Sequence, residues 1–200
     1  MIATQDDWRN LLSEWEAFAL PVLRDLKFRD DIEDLAVERG SLVFPPASES
    51  EISAAETKLT IRLPDEVRNF FKTSNGFLAG LRASRISPVE EIGYLKDKDP
   101  LIHELWSRPK RSKDLPGWAL SITPERLRTA IQITPKAEDG ASWLLIPTVV
   151  SAEGEWQTLD FSPRRVNPIV YESFYEAMRR DLDAAHKGLD EILKLGRMFQ

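Results

Sequence analysis

The order of patterns along this chain predicts an α+β fold: a single domain with a mostly antiparallel β-sheet flanked by helices, with long N-terminal and C-terminal helices. Three observations predict it. Apolar residues recur at spacings of three and four near both ends, which is helical periodicity. Between them lie short runs rich in β-branched and aromatic residues, separated by Pro and Gly. The order is helices, then several strands, then a helix, without the regular alternation of a parallel α/β sheet.

The first helix is expected over residues 6–28. Trp8, Leu11, Leu12, Trp15, Phe18, Val22 and Leu26 form its apolar stripe, and Asp6 and Asp7 suit its positive N-terminal end. Pro21 removes one backbone donor, so a kink or split is expected near residues 17–20. The two tryptophans on the stripe read as a buried face rather than a ligand cage. Ser41-Leu42-Val43-Phe44 reads as a short strand or an extended entry, stopped by Pro45-Pro46. Ser48-Glu49-Ser50-Glu51 is a capping box opening a helix that buries Ile52, Ala55 and Leu59. Leu63-Pro64 starts another, with Asp65 and Glu66 in its first turn and Val67, Phe70 and Phe71 inward. Asn75-Gly76 supplies the left-handed conformation that ends it.

Beyond Leu78 the pattern changes. Strands are expected at 85–89, with 90–95 as strand or short turn, then at 118–122, 130–133, 143–146 and 155–161. The last alternates Trp156, Thr158 and Asp160 with Gln157, Leu159 and Phe161, which predicts one buried and one partly wet sheet face. Residues 97–117 form a long polar connection with one helical turn near 101–106. The closing helix is expected over 170–195, on Phe174, Met178, Leu182, Ala185, Leu189 and Ile192.

Two hundred residues fit one domain, able to bury roughly 70% of its unfolded surface without a disulfide or metal. No cysteine is present, which excludes a disulfide framework, a thiolate zinc site and a cysteine nucleophile. The opening residues contain early acids and no apolar core run, so no signal peptide is expected. No stretch is long and apolar enough for a bilayer. The expected location is the cytoplasm, with no membrane partner.

Charge is uneven. The net charge is −6, and residues 29–66 carry ten acids against four bases. Such a region repels a phosphate backbone and attracts a basic partner, although a solvated surface has the same composition. The basic run Arg108-Pro109-Lys110-Arg111-Ser112-Lys113 reads as an exposed loop, so no direct nucleic-acid contact is expected. Catalytic signals are weak. His103 and His186 have no metal-ligand spacing, and neither a phosphate-binding glycine loop nor a nucleophile elbow occurs. Glu90-Glu91, or Asp97 with Asp99, are acid pairs of a kind that do acid–base work, and of a kind far more often simply solvated. The expectation is a non-enzyme with no cofactor and no metal.

The series Pro46-Ala47-Ser48, Glu51-Ile52, Glu56, Leu59, Leu63-Pro64, Phe70-Phe71 and Ser74-Asn75-Gly76 resembles the SUKH superfamily, the Smi/Knr-like domains. Ile86-Ser87-Pro88-Val89-Glu90-Glu91, Leu144-Leu145-Ile146-Pro147, Gly154-Glu155-Trp156 and Tyr171-Glu172-Ser173-Phe174 follow in the family's order. The resemblance covers roughly residues 40–185, and Ile146 stands where the family usually has Asn. It implies an antiparallel sheet wrapped by helices. It also implies a bacterial immunity protein that neutralises a toxin, often a nuclease, by direct binding; a regulatory or scaffold role like that of the fungal branch is the alternative. Nucleases are commonly basic, so the expected partner is a basic toxin protein, and the candidate contact residues are Glu90, Glu91, Asp97, Asp99 and Glu104 with Trp106 as anchor. Trp106 packed on the sheet, among acids that only solubilise the loop, is the competing arrangement.

Overall fold

The computed structural model describes residues 2–26, 29–78, 85–107, 123–135, 142–161 and 168–198; side chains at 105–106 and 189–198 lie outside that description. Helix α1 (Gln5–Asp25) starts at Thr4. The Thr4 hydroxyl accepts from the Asp7 N–H, and the Asp7 carboxylate accepts from the Thr4 N–H. The helix continues through Pro21 without the expected split. Ala19, Leu20 and Leu23 are buried around the proline, and that packing outweighs one lost backbone bond. Trp8 and Trp15 are both fully buried. Trp8 meets Phe70, Phe174 and Tyr175 with ring centroids 5.0, 5.1 and 5.0 Å away, and its indole N–H donates to the Glu66 carbonyl at 2.9 Å.

Helix α2 (Asp31–Arg39) was not among the sequence expectations. Its signals are plain in retrospect: Asp30 and Glu33 form a capping box, and Gly40 ends the helix at a φ of 64°. Helix α3 (Glu49–Leu59) carries the predicted Ser48–Glu51 box. Helix α4 (Asp65–Phe71) follows Pro64. Gly76 sits at a φ of 109°, and a Cβ there would lie 3.2 Å from the Ile86 carbonyl oxygen, so only glycine fits this turn.

Residues 41–44 form an extended entry with one bridge, Val43 to Phe77, and the expected strand at 85–89 reduces to a bridge between Phe77 and Ile86. A 3₁₀ turn (Val89–Glu91), strand β1 (Gly93–Tyr94), helix α5 (Leu95–Lys98) and helix α6 (Pro100–Ser107) follow. Helix α7 (Pro124–Thr129), capped by the Thr123 hydroxyl, precedes β2 (Ile131–Gln132). Strands β3 (Ser142–Val150), β4 (Trp156–Phe161) and β5 (Ile169–Tyr171) complete the sheet, and α8 (Phe174–Met198) closes the chain. The closing helix therefore begins later than the expected residue 170, because Ile169–Tyr171 pairs with β4. The expected strand at 118–122 lies outside the described residues.

The sheet is an antiparallel meander in the order β1-β2-β3-β4-β5. Between Ile146 and Val150 the β3–β4 register shifts; Pro147 lies in this irregular stretch, where no ladder donor is required of it. Both sheet faces are covered, contrary to the expected wet face. Trp143, Leu145 and Trp156 join the core built on α1, α3, α4 and α8. Leu144, Ile146, Leu159 and Phe161 pack with Leu95, Leu127 and Ala130 in a second cluster. The cover comes from α5 and α7, elements that alternation within β4 alone does not reveal. Ile146, the departure from the family pattern, is fully buried in that second cluster, where an Asn side chain would need a hydrogen-bond partner.

Candidate partner-binding surface

The residues expected to face a partner fall on the 3₁₀ turn, α5 and α6. Glu90 and Glu91 lie together on the turn and are exposed. Asn75 fixes that turn: its Oδ1 accepts from the Val89 N–H at 2.8 Å, and its Nδ2 donates to Glu90 Oε2 at 3.2 Å. Lys58 on α3 donates to the Glu90 carbonyl at 3.2 Å. Asp97 and Glu104 are exposed. Asp99 is not: it is 3% exposed, and its Oδ1 accepts from the Ile102 N–H at 3.3 Å. It sits just before Pro100 and caps α6, a structural use that removes it from the surface. The Trp106 side chain lies outside the described residues. Lys96 and Lys98 are exposed on α5, so the surface is acidic but not uniformly so.

A second acidic feature escaped the sequence reading. Pro64, the N-cap of α4, has no side chain able to cap. Glu155, from the β3–β4 turn, supplies the acceptor: its Oε1 takes the Glu66 N–H at 3.2 Å. Glu66 repeats the device one step on. Its carboxylate accepts the Tyr175 N–H in the first turn of α8 at 2.6 Å. The two glutamates thus cap two helices in series, each carboxylate at the positive end of a helix dipole. Both are almost completely buried. Burial pushes the Glu66 carboxyl above its usual range, against the bonds from Tyr175 and Ser173 that favour the ion. Burial likewise pushes Glu155 up to about 7, reinforced by the nearby charges of Glu66 and Asp65.

Glu66 and Glu155 line a recess of about 250 Å³ whose rim includes Glu153, Glu172 and Glu176. An adjoining recess of about 360 Å³ shares Glu153 and Glu155 and adds Arg62 and Asp65. The sequence does contain a pointer, since Glu155 belongs to the Gly154-Glu155-Trp156 motif, but its bond reaches across 89 residues and no spacing rule exposes it.

The other signature residues are also spent on the scaffold. Glu56 accepts from the Leu63 N–H at 2.8 Å and pairs with Arg68 at 2.5 Å. Arg68, 8% exposed, also pairs with Glu49, tying α3 to α4. Ser173 accepts from the Glu176 N–H at 3.2 Å. Among the described residues no group of three or more His, Cys, Asp or Glu side chains is arranged to hold a metal ion, and no helix is long and apolar enough to cross a membrane.

Fold and framework together define a helix-wrapped antiparallel-meander domain of the α+β class, with internally engaged signature residues. The chain belongs to the SMI1 / KNR4 family (SUKH-1), whose model matches residues 46–194. That match reaches further along α8 than the motif resemblance. No curated protein matches the chain.

Proposed function

We propose that this chain is a non-catalytic binding protein, an immunity protein that neutralises a basic toxin, with a nuclease domain as the leading class, by direct contact. Family membership supports a recognition role of this type. The observation that carries the reading is the exposed acidic set Glu90, Glu91, Asp97 and Glu104, displayed on short elements anchored to a buried scaffold. A preorganised surface of one sign raises the association rate with an opposite partner above the neutral range of about 10⁵–10⁶ M⁻¹s⁻¹. The overall charge of −6 and pI near 5.1 act in the same direction.

The test is a charge reversal on exposed positions, Glu91→Lys with Asp97→Lys, measured against a basic toxin candidate taken from the reading frames beside this gene. Asp99 is left intact because its loss would damage α6 rather than the surface. The expected result is a Kd raised by about tenfold or more, with a flatter salt dependence of the association rate. Unchanged affinity and salt dependence would reject this surface as the contact.

A further inference from the structure

A cleft runs along α3 where the 3₁₀ turn packs beside it. Glu51, Ala54, Ala55 and Lys58 of α3 and Glu90 of the turn line a volume of about 300 Å³. Residues three and four apart on a helix are surface neighbours, so Glu51 adjoins the two alanines and Lys58 follows them on the far side. Ala55 is buried and Ala54 exposed, which makes the floor small and apolar. The walls are fixed. The Lys58 ammonium donates to the Glu90 and Ile92 carbonyls at 3.2 and 3.5 Å, and the Tyr94 hydroxyl donates to the Leu59 carbonyl at 2.6 Å. Asn75 also holds the turn. The two glutamates keep accepting capacity. Glu51 uses only its Oε2, on the Ser48 N–H and hydroxyl at 2.7 Å each. Glu90 uses only its Oε2, on the Asn75 amide. Both residues are exposed, and a carboxylate offers about four lone-pair sites.

We propose that this cleft receives one arginine side chain of the protein partner, its stem on Ala54 and Ala55 and its guanidinium toward Glu51 and Glu90. The proposal rests on the binding role argued above and extends that surface from the turn onto α3. The lining selects the occupant. An apolar floor beside anionic residues matches a side chain with an aliphatic stem and a cationic head. A purely aliphatic side chain would cover the floor and strip water from the glutamates without replacing it. A carboxylate or phosphate would meet two acids, while the one lysine of the lining already donates to two backbone carbonyls. Lys58 lies beyond the alanines from Glu51, so the guanidinium is directed to the Glu51 end. Arginine is preferred to lysine because its head is planar, carries five donors and is more weakly hydrated. Glu91, exposed on the same turn, adds charge of the same sign, and fixed walls lower the ordering cost of binding.

The experiment titrates acetyl-glycyl-arginyl-glycine amide, its neutral citrulline isostere and its lysine counterpart into the ¹⁵N-labelled full chain. The arginine peptide is expected to shift the amides of Glu51, Ala54, Lys58 and Glu90 saturably in the millimolar range, with citrulline weaker by about threefold or more. Ala54→Leu puts a good helix former at an exposed position and fills the cleft; it is expected to unfold like wild type on heating and to lose about fivefold in arginine binding. Glu51→Gln keeps an acceptor for the Ser48 cap and is expected to weaken binding about twofold to threefold. Equal binding of the arginine and citrulline peptides, tighter binding of the lysine peptide, saturable shifts confined to other surfaces, no saturable shift, or unchanged binding in both variants would overturn the proposal. Failure of the wider reading looks different. A toxin complex indifferent to Ala54→Leu removes the cleft and keeps the immunity role, whereas arginine binding in the cleft without any toxin complex does the reverse.

Discussion

Glu155 makes stability depend on pH in an unusual direction, and Glu155→Gln isolates the effect. Most structural carboxylates are easier to ionise in the folded state, so acid destabilises the protein. Glu155 is harder to ionise: its carboxyl stands at about 7 against the usual 4.5, chiefly through burial. The folded state therefore holds a proton that the unfolded chain has released between those two values. Its contribution is fully present below 4.5 and is lost as pH rises through 7. The gap corresponds to about 3 kcal/mol over the whole window, most of it between pH 5 and pH 8. The groups that act oppositely titrate lower. Asp7, Glu49 and Glu51 are held below their usual range by bonds from Thr4, Lys72 and Ser48 respectively, so their contributions are lost only in more acid solution. Glu66 shares the upward direction of Glu155 and keeps its share of the slope in the variant. Urea unfolding of wild type and Glu155→Gln at pH 5 and pH 8 provides the assay. Wild type should lose roughly 2–3 kcal/mol more than the variant between the two conditions. Parallel losses would refute the reasoning, because they would mean that the Glu155 carboxyl ionises as readily folded as unfolded.

Other perturbations probe the scaffold. Gly76→Ala places a Cβ 3.2 Å from the Ile86 carbonyl at a φ of 109° and should cost about 1 kcal/mol or more in chemical denaturation. Asp99→Ala should lower stability by about 1 kcal/mol through loss of the α6 cap, while Asp99→Asn should recover most of it; equal losses would show that charge, not capping, is what the site needs. Trp8→Ala opens a cavity among Phe70, Phe174 and Tyr175 and should cost about 3–5 kcal/mol. A smaller loss by calorimetry would mean that the helices close over the gap.

What the sequence reveals here is local. The Ser48–Glu51 box and the Pro64 start act within a few residues of themselves and are found where their patterns place them, whereas α4 ends on Lys72 in the right-handed conformation and the Gly76 turn comes four residues later instead of terminating the helix. Strands β3 and β4 are legible because each carries its own dense apolar run. The misses have physical reasons. Ile169-Val170-Tyr171 runs almost directly into the periodicity of α8, so a short edge strand reads as helix. Helix α7 is only six residues long, too short for periodicity to declare itself. Coverage of the second sheet face depends on Leu95 and Leu127 arriving from separate helices. The candidate surface is divided in the same way. Glu90, Glu91, Asp97 and Glu104 are exposed as expected, but Asp99 is not. An acid before a proline in a polar stretch reads equally as a surface charge or a helix cap. Glu66 and Glu155 act across 109 and 89 residues, distances over which spacing carries no information. The family signature is legible for a related reason: Glu56, Asn75 and Glu155 hold the backbone of the fold, so the motif identifies the scaffold and leaves partner choice to the exposed residues.

The most direct test of the binding role is protection. A basic toxin candidate taken from the adjacent reading frames is expressed alone, with this chain, and with its Glu91→Lys, Asp97→Lys variant, while growth and the salt dependence of complex formation are followed. The wild-type chain is expected to restore growth through a complex whose association slows as salt rises, and the variant to protect poorly. Full protection by the variant with an unaltered salt response, or protection without any complex, would contradict that role.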